Sequence, residues 1–517
     1  MILPTIMIAA TLAQAALAEA SICRPSSFHP PNIDGVRYLN LEAHEVRNFT
    51  RTSLPPGTLD GAVYTVDFCN VTVSYEHPGW HDTVSVTVWL PISPSNWNGR
   101  LWALGGAGYS ASGGPLYLTQ AVGKGFVALA TDSGHEATLE SATNAEWTLA
   151  STGNLNLPLL YDWGSRSLGE MTSIGRQITS DFFGSEPNYS YFSGCSGGGR
   201  QAMELAQRFP NDYDGILAAA PAMNIETFIP AAIWAGMAMR NVSTYPSTCE
   251  VNAFSEQAVQ ACDLLDGLED GIVSRPELCN FDPSSAVGTK INCNGTEKVL
   301  SAAAADVVRA AWLGPHDPEG NFSWPGLNVD ASLTGYISTT CSSGNQCTQS
   351  DSELFTGFWK YFLAKDPAFN VTTLTNEQFF EYLEASRRVF GPIMAAHDPD
   401  LSGFQKAGGK MISWHGLADE TIPPVTSRYY DQVMERVSDV HQFYRHFEAP
   451  GVGHCMGGLG PLPGTAFDQL ISWVEEGVVP EKLKAVGQLG ERDLCPYPSV
   501  QTFVGKSEDD ELNFQCV

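Results

Sequence analysis

The chain has 517 residues, of which 43% are hydrophobic, and a formal net charge of −29 from 57 acidic and 28 basic side chains. That hydrophobic share supports a large buried core and excludes a disordered chain. The negative charge would repel nucleic acid and anionic membranes, so we expect neither as a partner.

The first predicted element is an apolar segment at the amino terminus, residues 1–18. It is too short and too rich in alanine for a membrane span, and it predicts a secretory signal peptide. An extracellular location also suits the even number of cysteines, twelve, and the seven Asn-x-Ser/Thr sequons. The predicted glycosylation sites are Asn48, Asn70, Asn188, Asn241, Asn294, Asn321 and Asn370.

Strands and helices alternate in the next part of the chain. Alternating side chains predict a half-exposed strand at residues 83–90, and apolar runs predict buried strands at 100–104 and 125–130. A further strand leads into a turn at Ser196, a helix follows, and another strand spans 214–220. This alternation predicts a mostly parallel α/β sheet.

Glycines follow the strand at 100–104, in the segment 105–108. Glycines let the backbone approach a bound ester and direct amide N–H groups at it. In an oxyanion hole, such an amide acts together with the N–H of the residue after a nucleophile. If Ser196, at the next turn, is the nucleophile, Gly197 supplies that N–H, and we expect Gly106 or Ala107 to be the second donor. A phosphate-binding loop is the alternative, but the segment has neither a lysine nor Gly-x-Gly-x-x-Gly spacing.

The turn at Ser196 has the Gly-x-Ser-x-Gly pattern of a nucleophile elbow, with glycines at 194 and 198. Such a turn holds the serine in a strained conformation that only neighbours without side chains tolerate. The pattern predicts Ser196 as the nucleophile of an acyl transfer, and an ordinary turn serine is the alternative.

The alternation is lost between residues 224 and 403, which we interpret as a long insertion into one α/β domain. Within the insertion, the segment 262–272 carries closely spaced aspartates and glycines. These offer hard oxygen ligands on a tight loop and suit calcium, although the spacing differs from that of an EF-hand. A solvated acidic loop is the alternative.

Strands are predicted again at 410–414 and 441–447, and a helix follows at about 465–475. Asp419 lies just beyond the first strand, and His454 lies on a glycine-flanked loop after the second. Both follow the serine in the chain order Ser, acid, His of the α/β-hydrolases.

Ser196, Asp419 and His454 are therefore the predicted catalytic triad. For Asp419, a turn or helix-cap role is the alternative. His415 is a rival base that breaks the expected order because it precedes the acid. His135 is a second rival, which we interpret as a pocket or structural residue.

Two cysteines adjoin the predicted triad. Cys195 precedes the serine and Cys455 follows the histidine. If Ser196 and His454 are in hydrogen-bond contact, these neighbours lie close enough for a disulfide. The bond would hold base and nucleophile in register.

Together, Cys195-Ser196, Asp419 and His454-Cys455 resemble the CS-D-HC pattern of the fungal tannase and feruloyl esterase family. The resemblance covers nearly the whole mature chain. It implies an α/β-hydrolase fold at residues 19–223 and 404–517, with a large lid domain at 224–403 inserted between the elbow half and the Asp/His half.

The resemblance implies a secreted serine carboxylesterase for esters of aromatic acids. Feruloyl (hydroxycinnamoyl) esters of plant cell-wall polysaccharide such as xylan are the expected substrates, because the chain is short for a fungal tannase. A tannase that hydrolyses galloyl esters, and a non-catalytic binding protein on the same fold, are the alternatives. We expect no organic cofactor, and the sequence leaves monomer and homodimer open.

The same resemblance implies a structural calcium ion in the lid, held by the carboxylates of Asp263, Asp266 and Asp270 and the carbonyls of Leu268 and Ile272. It also implies the disulfides Cys262–Cys279, Cys23–Cys69 and Cys495–Cys516. Proximity and elimination suggest Cys341–Cys347 and Cys249–Cys293. Lid aromatics that could stack on a phenolic acid, but which more often form core, are Phe228, Trp234, Phe358 and Trp359.

Overall fold

A computed structural model of the chain describes residues 22–53, 61–92, 96–320, 322–342, 346–350, 352–488, 490–506 and 512–517. The predicted signal peptide lies outside these residues. A nine-stranded sheet runs through the molecule, in the order β1-β2-β3-β5-β4-β6-β7-β8-β9. Its strands are β1 (Arg37–Thr52), β2 (Val63–Glu76), β3 (Val84–Pro91), β4 (Arg100–Leu104), β5 (Val127–Thr131), β6 (Tyr189–Cys195), β7 (Gly215–Ala219), β8 (Lys410–Gly416) and β9 (Tyr444–Ala449).

Neighbouring strands are parallel from β5 across to β9, whereas β1, β2 and β3 form an antiparallel ribbon that joins β5. The carboxyl ends of parallel strands meet at one edge of a sheet, where open α/β sheets bind their ligands. The loops that follow β4, β6, β8 and β9 therefore gather at the same edge. The α/β class predicted from the sequence is confirmed.

Helices cover both faces of the sheet. Leu168, Leu205 and Val433 on three helices pack against one face, and Leu118 and Phe467 on two others pack against the opposite face. The helices are α1 (Pro115–Gly123), α2 (Leu157–Tyr161), α3 (Ser167–Phe183), α4 (Gly197–Arg208), α5 (Ile225–Ala231), α6 (Trp234–Asn241), α7 (Thr248–Cys262), α8 (Ala302–Leu313), α9 (Glu353–Gly357), α10 (Asn376–Met394), α11 (Ser402–Ala407), α12 (Thr426–Arg436) and α13 (Ala466–Glu476). Among the helices described, none is both long and apolar enough to cross a membrane.

The part of the segment between β7 and β8 that the structure describes adds no strand to the large sheet. Its helices α5 to α10 bury a hydrophobic core of their own, which includes Phe254, Trp359 and Leu383. That core continues onto residues that follow β4, among them Tyr109 and Trp163. The segment thus packs against the loop that follows β4, at Tyr109.

Short hairpins complete the described structure. They pair Leu149–Ser151 with Asn154–Leu155, Lys290–Cys293 with Thr296–Val299, Thr339–Cys341 with Cys347–Gln349, Val486–Gly487 with Gly490–Glu491, and Gln501–Lys506 with Leu512–Cys516. Most strands of the large sheet lie within two or three residues of their predicted bounds. The long strands β1 and β2 were not predicted.

All twelve cysteines pair, and the six predicted disulfides are confirmed: Cys23–Cys69, Cys195–Cys455, Cys249–Cys293, Cys262–Cys279, Cys341–Cys347 and Cys495–Cys516. Of the sequon asparagines, Asn70 is half-buried and Asn321 lies outside the described residues. The other five, Asn48, Asn188, Asn241, Asn294 and Asn370, are exposed. Glycosylation of these residues stays a prediction.

Candidate active site

Ser196 stands at the turn between β6 and α4 with φ 61° and ψ −122°. The φ value is rare for a residue with a side chain, and such strain concentrates at functional sites. A side chain at Gly194 would run into the backbone of Gly198, and one at Gly198 would lie 2.8 Å from the carbonyl oxygen of Gly106. Both glycines of the elbow are thus required by close backbone contacts.

The structure brings Ser196, His454 and Asp419 into one hydrogen-bonded chain. The Oγ of Ser196 lies 2.9 Å from Nε2 of His454, and Nδ1 of His454 lies 2.9 Å from Oδ2 of Asp419. A carboxylate can only accept, so Nδ1 carries the proton and Nε2 accepts from the serine hydroxyl. This is the tautomer that a general base needs.

Asp419 is fully buried, and its other oxygen, Oδ1, accepts the amides of Thr421 and Ile422, each at 2.8 Å. Burial by itself would raise the pKa of Asp419. The positive charge that His454 can carry and the hydrogen bonds around the carboxylate outweigh it and hold that pKa below its usual range. Asp419 therefore stays ionised opposite the imidazole.

The pKa of His454 is raised. Burial lowers it, but the charge of Asp419 and its hydrogen bond, together with the charge of Glu420, have the larger combined effect. A more basic imidazole accepts a proton more readily from a serine hydroxyl, which suits a general base.

The two rival histidines do not contact the serine. His415 lies behind the acid, with its Nε2 3.2 Å from Oδ2 of Asp419 and its Nδ1 2.7 Å from Oγ1 of Thr426. His135 stacks on Trp147 with ring centroids 4.1 Å apart and donates through Nε2 to the carbonyl of Tyr109. Burial lowers the pKa of His135 to about 4, so it stays neutral.

The disulfide Cys195–Cys455 lies directly behind the serine and the histidine. Its Cα atoms are 5.9 Å apart, and it joins residues 260 positions apart in the sequence. Since Ser196 and His454 are the adjoining residues, the bond connects the elbow to the loop after β9. The two loops are thereby covalently held together at the site.

The structure corrects the predicted oxyanion donor. The amide of Gly106 donates to Oε1 of Gln201 at 2.9 Å, and the amide of Ala107 donates to the carbonyl of Ser110 at 3.2 Å. Both amides already have acceptors, because Ala107 and Ser110 close a tight turn and Gln201, on α4, accepts from Gly106. The backbone of Gly108, inside that turn, lies directly against Gly197.

Two polar residues of the site had not been predicted. Gln201 on α4 binds the amide of Gly106 and donates to the carbonyl of Ala111 at 3.0 Å. Glu420, next to Asp419, accepts the backbone amide of His454 at 3.0 Å. The adjacent carboxylates at 419 and 420 were the one sequence signal that could have indicated Glu420.

The acidic loop at 263–272 has features of a cation site. Oδ2 of Asp266 is buried and accepts no hydrogen bond, with Nη2 of Arg492 3.8 Å away. Burial, with the neighbouring carboxylates, raises the pKa of Asp270 to about 6. Arg492 supplies some compensating charge, with Nη1 3.3 Å from Oδ2 of Asp270. Three closely spaced carboxylates, Asp263, Asp266 and Asp270, with one buried oxygen that accepts no hydrogen bond fit a hard divalent cation such as calcium.

Most of the proposed lid aromatics belong to the core. Phe228, Phe358 and Trp359 are buried inside the segment between β7 and β8, and Trp234 is half-buried against it. Trp359 also donates through Nε1 to the carbonyl of Pro230 at 3.1 Å. Of the four, only Trp234 has a partly exposed ring.

Comparison with known proteins is consistent with this geometry. Residues 69–517 match the family model described as tannase and feruloyl esterase. A probable feruloyl esterase of Arthroderma benhamiae is 35% identical over 533 aligned positions that cover 100% of this chain and 97% of the relative.

Two solved structures are also similar to this chain along most of its length. The tannin acyl hydrolase of Aspergillus niger has a TM-score of 0.85 at 26% identity, covering 96% of this chain and 95% of its own. Feruloyl esterase B of Aspergillus oryzae has a TM-score of 0.76 at 25% identity, covering 94% and 98%. The chain therefore belongs to the tannase and feruloyl esterase family and is a carboxylic ester hydrolase.

Proposed function

We propose that this protein is a secreted feruloyl esterase that cleaves hydroxycinnamoyl esters of plant cell-wall polysaccharide such as xylan. The observation that carries the proposal is the chain of two 2.9 Å contacts from Ser196 through His454 to Asp419. The acyl group is assigned from the relative of Arthroderma benhamiae, which is named a probable feruloyl esterase and matches over the full length of the chain.

In the first half of the reaction, Oγ of Ser196 attacks the ester carbonyl carbon while Nε2 of His454 takes the hydroxyl proton. Asp419 holds the imidazole in its tautomer and stabilises the positive charge that develops on it. The tetrahedral intermediate collapses when His454 returns the proton to the leaving sugar oxygen. The products are the free alcohol and an acyl-serine.

In the second half, His454 removes a proton from water, and the resulting nucleophile attacks the acyl-serine. Collapse of this intermediate protonates Oγ of Ser196 and releases the free aromatic acid. Asp419 has the same role in both halves, because the imidazole is transiently charged in each.

The amide of Gly197, at the start of α4, is the first donor for the oxyanion. We assign the second to Gly108. The turn from Ala107 to Ser110 uses the amides of those two residues for its own bonds, which leaves the amide of Gly108 outside that pairing. Its backbone nitrogen lies 3.1 Å from the Cβ position of Gly197, so the two amides belong to one small region.

The nucleophile is tested with Ser196→Ala, assayed on methyl ferulate. We expect kcat/KM to fall by about a thousandfold or more, because removal of a triad member leaves only binding and oxyanion stabilisation. Unchanged folding is checked by circular dichroism and Tm. Ferulate release at the wild-type rate would overturn the assignment.

Galloyl ester hydrolysis is the second candidate, favoured by the TM-score of 0.85 with a tannin acyl hydrolase. The ratio of kcat/KM values for methyl ferulate, caffeate, sinapate and gallate separates the two activities. A feruloyl esterase prefers the cinnamates by at least about tenfold. A preference for gallate would transfer the assignment to tannase.

We propose that residues 224–403 form a lid over the active-site edge. Support comes from contacts between this segment and the site loops. Tyr336 donates to the carbonyl of Thr421 at 3.0 Å, Asn328 donates to that of Leu417 at 2.8 Å, and Tyr109 donates to that of Leu354 at 2.8 Å. The first two contacts attach the segment to the loop of Asp419, and the third attaches it to the glycine-rich loop after β4.

Calcium is proposed as a structural ion of this lid, with Asp263, Asp266 and Asp270 and the carbonyls of Leu268 and Ile272 as its ligands. When bound, the ion supplies positive charge to three closely spaced carboxylates and takes no part in ester hydrolysis. A chelator should lower Tm by several degrees, and added calcium should restore it. The Tm of the variant Asp266→Asn should change little in either treatment. A wild-type Tm that the chelator leaves unchanged would contradict the site.

Secretion is supported by the cysteines. All twelve are paired, and structural disulfides form and persist in oxidising compartments. Sequencing the amino terminus of the secreted protein tests the predicted cleavage near residue 18.

A further inference from the structure

The loop after β8 places a second carboxylate, Glu420, against the base. Its Oε2 accepts the backbone amide of His454 at 3.0 Å. The same oxygen lies 3.0 Å from the position that a Cβ of Gly453 would take, so the absence of a side chain at Gly453 allows this approach. Glu420 thus connects the loop of the acid to the loop of the base.

We propose that Glu420 is a positioning residue for ester hydrolysis. It holds the loop of His454 by accepting the backbone amide of His454, and it places a second negative charge beside the imidazole. The proposal rests on the function proposed above, in which His454 is the base. It assigns Glu420 no contact with the substrate.

Two carboxylates lie next to His454, and His415, on β8, lies 3.2 Å from the same Oδ2 of Asp419. Asp419 faces Nδ1 from the loop after β8, and Glu420 faces the backbone of His454 from the same loop. On the opposite side, Nε2 meets the neutral hydroxyl of Ser196. Cys455, the next residue on the loop of His454 itself, is in a disulfide and does not titrate.

Each carboxylate stabilises the imidazolium that forms when Ser196 loses its proton. Burial lowers the pKa of His454, while Asp419 and, to a smaller extent, Glu420 raise it. Asp419 has a direct bond to the ring, whereas Glu420 acts through its charge and through the backbone. Removing only the charge of Glu420 should therefore change the basicity of His454 without removing the triad.

Glu420→Gln makes that change, because the amide oxygen of glutamine still accepts from the His454 amide. A less basic His454 loses its proton at lower pH. We expect the acid limb of the kcat/KM profile on methyl ferulate to move to lower pH by about half a unit, and the plateau to fall about two- to threefold. Glu420→Ala loses the hydrogen bond as well and should show the same displacement with a lower plateau.

Glu435→Gln is the matched control, since Glu435 is an exposed carboxylate near the end of α12. Its pH profile should overlay that of the wild type. If Glu420→Gln does not fold, Glu420→Asp keeps the charge and should leave the acid limb in place with a lower plateau. Overlay of the Glu420→Gln and wild-type profiles, or an equal displacement in Glu435→Gln, would overturn the proposal.

Ser196→Ala, assayed alongside, separates this proposal from the function itself. An active Ser196→Ala means that the proposed function fails. An inactive Ser196→Ala combined with an unmoved Glu420→Gln profile means that the role of Glu420 alone fails.

Discussion

At the scale of single residues, the site depends on close contacts between two stretches of backbone. The loop after β4 lies against the first turn of α4, and the amide of Gly198 donates to the carbonyl of Gly106 at 3.0 Å. A Cβ at Gly105 would lie 2.6 Å from Cα of Gly198 and 2.8 Å from Oε1 of Gln201. One methyl group at this position must push the elbow and the loop after β4 apart.

Gly105→Ala should therefore lower kcat on a methyl ester by at least about tenfold and destabilise the fold by about 1–3 kcal/mol. Kinetics and thermal unfolding measure the two effects. Gly391→Ala is the matched control, because Gly391 lies in α10 with nothing within 4 Å of its Cβ position. Its kcat should match that of the wild type, because α10 lies outside the loops that carry the triad. Full activity of Gly105→Ala would contradict the tight contact.

The sequence predicted Ser196, Asp419 and His454 because elbow spacing and chain order restrict which residues can meet. It did not identify the second oxyanion donor. Whether Gly106 has a free N–H depends on Gln201, which is distant in sequence, and a hydrogen bond of that kind has no local pattern. Glu420 was missed for a related reason, because its partner is a backbone amide and a backbone amide carries no residue-specific signal.

At the scale of elements, the disulfide Cys195–Cys455 connects the β6–α4 turn to the loop after β9. It constrains the unfolded chain and also fixes the distance between nucleophile and base. The Cys195→Ala/Cys455→Ala double variant should lose about 2–4 kcal/mol of stability. Its activity should fall by a larger fraction than its secondary-structure content.

The hairpin disulfide Cys341–Cys347 gives a matched control, because it joins residues only 6 positions apart and lies outside the triad loops. The double variant Cys341→Ala/Cys347→Ala should keep most of its activity. Tm and kcat are measured for both double variants. Equal losses of activity would mean that the bond beside the triad has no special role in positioning.

The elements that were predicted are the buried central ones. Strands such as β4 and β5 are short, largely apolar runs, so their character is local. Strand β1 has charged and exposed residues, and two register shifts in its pairing with β2, between Tyr38 and Asn40 and between Val46 and Phe49, interrupt its alternation. The arrangement of α5 to α10 was also not predictable in detail, because short helices are ordered by contacts distant in sequence.

At the scale of the whole molecule, acidic conditions should favour the fold. The formal net charge of −29 decreases in magnitude as carboxylates are protonated, which reduces repulsion within the folded chain. Buried carboxyl groups with raised pKa values act in the same direction, whereas buried histidines with lowered pKa values, such as His135 and His446, oppose it. Glu226 is buried with one unpartnered oxygen, Oε2, and burial raises its pKa to about 7.

The sign of this effect follows from proton linkage. Between its ordinary pKa of 4.5 and its folded pKa of about 7, Glu226 keeps a proton that the unfolded chain loses. Its contribution is therefore complete below about pH 4.5 and is lost as the pH rises through 7, a difference on the order of 3 kcal/mol. Asp419, whose pKa is lowered, loses its contribution only below this window. The raised pKa of His454 reinforces the decline above pH 6.5.

Tm measured in excess calcium should accordingly be higher at pH 5 than at pH 8. Glu226→Gln keeps a neutral side chain that can still accept from Oγ1 of Thr227, so its Tm should match the wild type near pH 4.5 and exceed it at pH 8. Glu435→Gln removes one exposed charge and serves as the control for general repulsion. A Glu226→Gln curve parallel to that of the wild type would show that Glu226 does not carry the effect, because repulsion alone would act on all three proteins alike.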